Sequence, residues 1–435
     1  SPLRSLFDYL PPEGIAPGQL QPGQRLRAPF GHREVTGYLL EVARDSEFDH
    51  QALKPAAELL DETPLLPSEL LQLCQWAARY YMHPPGEVMA AAFPKALREG
   101  QAHRGLTTPG WQLTTRGKGL PPGALVRSPK QSRALALLQE QGRVSRDTFL
   151  QESISRGILK CLEERGLAET CELAQPQAVA SCGPGLELNP EQGAALEALR
   201  RYPQEFHCHL LEGVTGSGKT EVYLQLIADC LERGEQALVL IPEIGLTPQT
   251  LARFEQRFSA EIAVLHSNLG DARRYRAWEA ARTGRAHIVI GTRSAVFTPL
   301  ARPGLIVVDE EHDSSFKQQD GFRYSARDVA VKRGQLAACP VLLGSATPSL
   351  ESLHNALQGR YQHHRLTRRA GGSTLPGLRV LDVRKQALQA GLSEGLVKAV
   401  EHTLAAGQQC LLFLNRRGFA PTLQCHDCGW LADCE

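Results

Sequence analysis

The chain has little net charge and no long apolar run. Its 48 lysine and arginine residues are offset by 47 aspartates and glutamates, which leaves a net charge of +1 and no overall basic field. Any contact with nucleic acid must therefore come from local grooves. No stretch approaches the roughly 20 apolar residues of a membrane span, and the start, Ser-Pro-Leu-Arg, lacks the features of a secretory signal. We therefore expect no membrane partner and a cytoplasmic location.

The eleven cysteines do not form the regular framework of a disulfide-rich secreted protein. Most are scattered without spacing logic and are interpreted as reduced thiols. The exception is the C-terminal group Cys425, Cys428 and Cys434, whose C-x₂-C-x₅-C spacing is half of a zinc-site pattern. A tetrahedral site needs a fourth ligand, and His426 is poorly placed to supply it because it lies inside the first pair.

The length of the chain predicts several domains. A chain of 435 residues is too long for one core, and roughly three domains are expected. Strand-like pieces followed by a helical pattern predict a small β-rich domain over 1–100. Three closely spaced helical patterns within 106–175 resemble a winged helix. The alternative there is a helical spacer without DNA contact, whose basic residues form a solvated face.

The second half of the chain alternates strands and helices. Apolar runs at 237–241, 286–290, 305–308 and 341–343 are separated by helical patterns, which predicts a doubly wound parallel sheet over 187–365. A further βα unit begins at 409–414, so residues 366–435 are predicted to start another lobe. The predicted fold class is multidomain α/β.

Residues 213–220 read Gly-Val-Thr-Gly-Ser-Gly-Lys-Thr, between an apolar run and a helical pattern. A glycine-rich turn in this context points backbone N–H groups at a phosphate. Lys219 is expected to reach the β- and γ-phosphate oxygens, and Thr220 to hold Mg²⁺. A nucleoside triphosphate site is predicted, the alternative being a glycine turn with a chance lysine. The candidate residues are Gly213, Gly216, Ser217, Gly218, Lys219, Thr220 and Glu221.

The string Asp-Glu-Glu-His at 309–312 directly follows the apolar run 305–308. Ligands of open α/β sheets bind at the carboxyl ends of the strands, where this string lies. Asp309 is expected to hold Mg²⁺ together with Thr220, and Glu310 to polarise the water that attacks the γ-phosphate. With Lys219, these two acids are the catalytic candidates.

Gln192 lies in the string Leu-Asn-Pro-Glu-Gln, shortly before the phosphate-binding loop. An amide both donates and accepts, so Gln192 is placed to hydrogen-bond an adenine edge in two directions. The alternative is equally open: Asn189 caps a helix and Gln192 lies on its surface.

The order of these motifs carries a resemblance. The 213–220 loop, the acidic string at 309–312 and Gly-Ser-Ala-Thr-Pro at 344–348 each follow an apolar strand, as in superfamily 2 helicases. Four longer strings point to one family within this superfamily. They are Phe-Asp-Tyr-Leu (7–10), Pro-Glu-Ile-Gly-Leu-Thr-Pro-Gln (242–249), Lys-Gln-Gln-Asp-Gly-Phe-Arg-Tyr (317–324) and Leu-Asn-Arg-Arg-Gly-Phe (414–419). Over essentially its whole length the chain resembles the PriA family of bacterial primosomal helicases.

This resemblance implies an ATP-dependent DNA helicase of replication restart. Such a protein would translocate 3′ to 5′, bind stalled or repaired forks and D-loops, and start primosome assembly to reload the replicative helicase. The implied cofactors are ATP, Mg²⁺ and Zn²⁺, with ATP bound by a RecA-like lobe over 187–365. The implied partners are forked and single-stranded DNA with a nascent 3′ end, single-strand-binding protein, primosome proteins and the helicase loader. We expect a monomer.

The family's pocket for a 3′ DNA end maps to positions in the first domain. By this resemblance the pocket residues are Phe7, Asp8, Gly31 and Lys54. A ring suits stacking on the terminal base, and a carboxylate can accept a hydrogen bond from the 3′ hydroxyl. Taken alone, Phe7 is better interpreted as a core residue and Asp8 as a turn residue, and only the resemblance favours the pocket.

Further DNA contacts are predicted in the helicase-like region. Aromatic residues interleaved with basic ones after the acidic string suit stacking on single-stranded bases, although core packing is the usual fate of such aromatics. Polar side chains after two strands would touch the DNA backbone. These candidates are Thr247, Gln249, Arg293, Phe316, Lys317, Phe322, Arg323 and Tyr324.

The resemblance places further cysteines and the arginine that completes the transition-state charge beyond residue 435. We therefore expect this chain to bind nucleotide and DNA, to unwind DNA weakly or not at all, and to hold an incomplete zinc site. Two alternatives stay open: another superfamily 2 motor, such as an RNA helicase, and a fork-recognising scaffold with a dispensable ATPase.

Overall fold

The computed structural model describes residues 3–49, 51–121, 125, 128–174, 180–369, 377–384, 386, 388–389, 391–413, 428 and 430. Two compact units are present, Ser1–Gly372 and Ser373–Glu435. The strands are β1 Arg25–Phe30, β2 Arg33–Tyr38, β3 Glu58–Leu59, β4 Thr107–Leu113, β5 Arg143–Ser145, β6 Ala168–Ala174, β7 Ser181–Cys182, β8 Cys208–Gly213, β9 Gln236–Leu240, β10 Phe258–Ser259, β11 Ile262–Leu265, β12 Ile288–Gly291, β13 Pro303–Asp309, β14 Val341–Ser345, β15 Gln362–Leu366, β16 Leu388–Gln389 and β17 Leu392–Ser393. The α-helices are α1 Ser68–Tyr80, α2 Pro85–Ala91, α3 Lys95–Arg98, α4 Thr115–Lys118, α5 Pro129–Gln141, α6 Arg146–Gln151, α7 Arg156–Glu164, α8 Pro190–Arg200, α9 Lys219–Glu232, α10 Pro248–Arg257, α11 Asp271–Arg282, α12 Ala326–Ala337, α13 Leu350–Leu357 and α14 Glu394–Ala405.

The N-terminal part combines a small antiparallel sheet, ordered β2-β1-β3, with the helices α1–α3. Arg25 and Asp61 form a fully buried ion pair, with Nη2 and Oδ1 2.7 Å apart. The same guanidinium donates through Nη1 to the carbonyl of Leu97 in α3 at 2.6 Å. A buried charge needs such satisfaction, so this network fixes the sheet against the helices.

The described residues of 107–174 form the predicted winged helix. The three-stranded sheet β5-β4-β6 packs on α5, α6 and α7. A separate apolar core includes Trp111, Leu138, Phe149 and Leu162. The three helical patterns of the sequence are therefore confirmed. Because β4 and β6 pair along their length, the domain is not purely helical, and its contact with DNA stays a prediction.

Seven parallel strands, in the order β11-β12-β9-β13-β14-β8-β15, form the central sheet. Strands β9, β12 and β14 are buried along their whole length, as expected when helices cover both faces. One face packs against α8, α9 and α10, and the other against α11 and α12. The four strands predicted from apolar runs are confirmed as β9, β12, β13 and β14, with small shifts at their ends.

The N-terminal helices share a core with the parallel sheet. The apolar cluster beneath α11 and α12 continues into α1, α2 and α3. Trp278 of α11 donates from its indole Nε1 to the carbonyl of Ala92 at 2.7 Å. The hydroxyl of Tyr81, next to α1, accepts from the backbone N–H of Ser325 at 3.3 Å. The domain predicted over 1–100 is therefore anchored on the helicase-like region through buried contacts that its own sequence pattern does not indicate.

The second unit contains the hairpin β16–β17 and the helix α14. Ser393 caps α14 by accepting a hydrogen bond from the N–H of Leu396 at 3.3 Å. The strand predicted to begin at 409 is not present in 409–413, and residue 414 lies outside the described residues. Across the described parts of both units, no helix has the length and apolarity needed to cross a membrane.

Candidate nucleotide site

The phosphate-binding loop connects β8 to α9, as predicted. Gly216 and Gly218 adopt left-handed backbone angles, with φ of 82° and 81°, which glycine reaches without steric cost. A Cβ at Gly213 would lie 2.5 Å from the hydroxyl oxygen of Ser217, so the loop also needs glycine at its start. Lys219, the first residue of α9, is buried and donates from Nζ to the carbonyl of Gly213 at 2.9 Å.

The two catalytic acid candidates follow directly at the end of β13. Asp309 accepts a hydrogen bond through Oδ1 from the hydroxyl of Tyr223 at 3.0 Å. Glu310 has a φ of 47°, a left-handed angle that a non-glycine side chain rarely adopts. Its backbone N–H donates to Oδ1 of Asp309 at 3.1 Å, which orients the carboxylate. Strained backbone of this kind clusters at functional sites.

The loop and the acid pair line the same space. A cavity of about 780 Å³ is lined by Gly216, Ser217, Gly218, Lys219, Thr220, Glu221, Asp309 and Glu310, among others. A neighbouring cavity of about 440 Å³ is also lined by Thr220, Asp309 and Glu310. The Thr220 hydroxyl and the Asp309 carboxylate are oxygen ligands of the kind that Mg²⁺ prefers. The arrangement therefore fits a magnesium-bound triphosphate.

Burial raises the pKa of the Asp309 carboxyl, and the nearby Glu310 raises it further. The hydrogen bond from Tyr223 and the charge of Lys219 act in the opposite direction. Because the pKa is raised on folding, the ionised form costs folding free energy, and this cost disappears as the pH falls through the folded-state pKa. A bound cation would offset the same cost by favouring the ionised form.

We expect Mg²⁺-dependent nucleotide binding to weaken on acidification at a pH above the ordinary range of aspartate, because protonated Asp309 is a poor metal ligand. Tyr223→Phe removes the hydrogen bond that lowers this pKa, so the loss should move to higher pH. Titrating a fluorescent ATP analogue with and without Mg²⁺ across pH measures both. Asp309→Asn is the control, and a pH profile that this change leaves unaltered would contradict the assignment.

Glu311 is a buried connection that the sequence does not reveal. Its carboxylate accepts from the N–H of Ser349 at 2.7 Å and from the hydroxyl of Ser352 at 2.8 Å, and it lies 3.2 Å from Arg327 Nη1. Beside it, His312 Nδ1 and Ser345 Oγ are 2.8 Å apart. The acidic string is thereby joined to the loop after β14. The one sequence signal for this link is that the acidic string and the Gly-Ser-Ala-Thr loop each follow an apolar strand.

Gln192 is already engaged inside the protein. Its Oε1 accepts from the N–H of Asn189 at 2.8 Å, and its Nε2 donates to the carbonyl of Ser217 at 2.8 Å. The Asn189 side chain caps α8 in return. The structure thus contains the predicted cap, but Gln192 is buried and not on the surface. An adenine contact through both ends of this amide would require these bonds to break.

The expectation that the aromatic residues after the acidic string lie open for base stacking is wrong for two of them. Phe316 and Tyr324 are buried, because they belong to the core shared with α1 and α12. Phe322 is half-buried, with its ring 4.7 Å from that of Tyr324 and 6.0 Å from that of Tyr81. Core packing, the usual fate of such aromatics, applies here.

The basic and polar DNA candidates are more accessible. Lys317, Arg323, Thr247 and Gln249 are exposed. Arg293 is half-buried and donates from Nη1 to the carbonyl of Ser315 at 2.8 Å, so part of its function is to hold the loop. These residues remain candidates for contact with the DNA backbone.

The four candidates for the 3′-end pocket lie around the N-terminal sheet. Phe7 is 46% exposed and packs its ring edge on Phe30, with centroids 5.3 Å apart. Gly31 follows with a φ of 61°. Asp8 Oδ2 accepts from the hydroxyl of Ser46 at 2.6 Å. Lys54 is exposed, and its carbonyl accepts from the N–H of Leu10 at 3.0 Å. Phe7 is therefore not a core residue.

The zinc site at the C-terminal cysteines stays a prediction. Cys425 and Cys434 lie outside the described residues, and Cys428 is exposed. Among the described residues no group of three or more His, Cys, Asp or Glu side chains could hold a metal ion.

Family models match three successive parts of the chain. A DEAD/DEAH box helicase model matches residues 189–356, which contain the parallel sheet and the nucleotide site. A model described as primosomal protein N′-like, winged helix, matches 109–170, and one for a 3′ DNA-binding domain matches 1–94. The parallel sheet with its phosphate-binding loop is therefore a domain of the DEAD/DEAH helicase class, preceded by a 3′ DNA-binding domain and a winged-helix domain.

Curated relatives narrow this class further. The chain is 44% identical over 447 residues to the replication restart protein PriA of Haemophilus influenzae, covering 100% of this chain and 60% of that protein. It is 32% identical over 510 residues to PriA of Bacillus subtilis, with coverages of 98% and 62%. For PriA of Synechocystis sp. the identity is 43% over 320 residues, with coverages of 70% and 38%. The chain belongs to the PriA family, and it spans 60% and 62% of the first two relatives.

Proposed function

We propose that this chain is the nucleotide- and DNA-binding part of an ATP-dependent DNA helicase of replication restart. One observation carries the proposal: Lys219, Thr220, Asp309 and Glu310 line one cavity at the carboxyl ends of β8 and β13. Phosphoryl transfer needs mainly positioning and charge compensation, and this cavity supplies both. The match of residues 1–94 to a 3′ DNA-binding domain supports DNA as the nucleic acid.

The side chains divide the chemistry between them. Backbone N–H groups of the 216–218 loop and the Lys219 ammonium bind the phosphates, while Thr220 and Asp309 hold the magnesium ion. That ion, when bound, neutralises charge on the β- and γ-phosphates. Glu310 orients the attacking water. The neighbouring Glu311 connects the acidic string to the loop after β14, so a change at the nucleotide site is passed on to that loop and from there to the surfaces that contact DNA.

The finer part of the proposal is supported by the similarity to the PriA family. It comprises 3′-to-5′ translocation, binding of stalled or repaired forks and D-loops through the nascent 3′ end, and primosome assembly to reload the replicative helicase. Single-strand-binding protein, primosome proteins and the helicase loader are the proposed partners. The exposed Phe7 ring and the Asp8 carboxylate support the 3′-end pocket, since they can stack on a base and accept from a hydroxyl.

Hydrolysis by the chain, measured with forked DNA with and without a 3′ end, single-stranded DNA and RNA, tests this function. We expect the fork with a 3′ end to stimulate most, and Lys219→Ala to reduce hydrolysis by about 10²-fold or more, because it removes a buried cation from the phosphates. Lys95→Ala, an exposed lysine of α3, is the control.

Each departure from this result has a meaning. Stronger stimulation by RNA would favour another superfamily 2 motor. Restart activity that survives Lys219→Ala would favour a scaffold with a dispensable ATPase. Full DNA-stimulated unwinding by these 435 residues would contradict our expectation that the chain unwinds weakly.

A further inference from the structure

One face of α10 is turned toward the nucleotide cavities. Thr250, Arg253 and Phe254 line the cavity of about 440 Å³, and Arg253 and Arg257 line the cavity of about 780 Å³. Their spacing of three and four residues places them on one side of a helix. Phe254 is buried in the apolar cluster with α9 and holds this side against the sheet.

The two arginines of this face differ in their partners. Arg257 donates from Nη1 to the carbonyl of Pro184, and its Nη2 lies 3.5 Å from Oε1 of Glu221. Arg253 is exposed and, over the described ranges, has no carboxylate within ion-pair distance and no hydrogen-bond acceptor. It nevertheless lines both cavities together with Thr220, Asp309 and Glu310. Its charge is therefore available to a ligand.

We propose that Arg253 binds the γ-phosphate of the nucleotide. This inference rests on the proposed function, because it needs a triphosphate at the loop 216–220. Such a ligand brings several negative charges into a cavity whose acids also repel them, while Lys219 is a single buried cation. A planar guanidinium can contact two phosphate oxygens at once, a geometry that lysine cannot match.

The position of Arg253 gives the contact a second consequence. Thr247 caps the start of the same helix by accepting a hydrogen bond from the N–H of Thr250 at 3.2 Å, and Gln249 lies exposed in the first turn. Both are proposed DNA contacts. A residue that distinguishes ATP from ADP on this helix therefore connects the state of the nucleotide with the DNA-facing end of α10.

The test is equilibrium binding of fluorescent ATPγS and fluorescent ADP, each with Mg²⁺, to the whole chain. We expect Arg253→Gln to weaken ATPγS binding about tenfold or more and to change ADP binding less than about twofold, since only ATPγS carries the γ-phosphate. Arg253→Lys should lose an intermediate amount. Arg276→Gln, an exposed arginine of α11, is the matched control and should bind both nucleotides as the unmodified chain does.

The outcomes separate this inference from the function on which it rests. If the unmodified chain bound neither nucleotide, the proposed function would fail first. If the chain bound both and Arg253→Gln left ATPγS affinity unchanged, or weakened ADP equally, the γ-phosphate contact would be overturned. Circular dichroism of each variant shows whether a loss of ATPγS affinity reflects misfolding. Arg253→Lys keeps the charge, so its affinity separates the effect of the charge from that of the guanidinium geometry.

Discussion

Glu310→Gln should reduce single-turnover hydrolysis of Mg²⁺–ATP by about 10²–10³-fold while nucleotide affinity changes little. The substitution keeps the size of the side chain and the left-handed backbone, but removes the charge that polarises the attacking water. Nucleotide affinity should change little because the loop 216–220 holds the phosphates and because Asp309 and Thr220 are the proposed metal ligands. Quenched-flow hydrolysis and titration with a fluorescent analogue measure the two quantities separately.

The control for this prediction is Glu311→Gln. Glu311 is buried and holds Ser349 and Ser352, so its replacement should lower the free energy of unfolding. Glu310 is partly exposed and holds no such network, so Glu310→Gln should not lower the free energy of unfolding. If Glu310→Gln hydrolysed ATP at the unmodified rate, the role of this acid in positioning water would be wrong.

Gly344→Ala should be the most disruptive single methyl addition near the site. A Cβ at Gly344 would overlap the hydroxyl of Tyr223, whose ring is buried in the core between α9 and the sheet. Overpacking of this kind costs about 1–3 kcal/mol in the free energy of unfolding. Moving Tyr223 also breaks its hydrogen bond to Asp309, so Mg²⁺-dependent nucleotide binding should weaken as well.

Urea unfolding followed by tryptophan fluorescence measures this cost. Gly193→Ala is the matched control, because this glycine of α8 has open space around its Cβ position and should become more stable by about 0.5–1 kcal/mol. The double change Tyr223→Phe with Gly344→Ala removes the overlapping oxygen and should recover part of the loss. Equal stability of Gly344→Ala and the unmodified chain would show that Tyr223 has room to move.

Local patterns predicted the parts of the site that depend on neighbouring residues in the chain. The loop before Lys219 needs glycines for its backbone angles, and Asp309 follows a buried strand whose apolar run is continuous. Tyr223 and Glu311 were not found because their importance comes from contacts with residues far away in sequence, and Arg253 was not found because it lines the cavities together with such distant residues. Tyr223 reaches Asp309 across 86 positions and Glu311 reaches Ser349 across 38.

The aromatic residues show where composition misleads. Phe316 and Tyr324 stand among basic and amide residues, a pattern that suits base stacking, yet they are buried. They belong to one apolar cluster with residues of α1, which lies more than two hundred positions earlier. Interleaving with polar residues does not indicate whether a ring meets solvent or another helix. The polar neighbours Lys317 and Arg323 stay exposed, as the pattern predicts.

The amino-acid sequence by itself determined the parallel sheet, the winged helix and the phosphate-binding loop, because each depends on periodicity or on backbone angles that only certain residues adopt. The tertiary structure alone decided that α1–α3 share the core of the helicase-like region, that Gln192 is already engaged, and that Arg253 faces the nucleotide cavities. These facts depend on which segments pack together after folding, because that packing decides which side chains are buried and which charges have no partner.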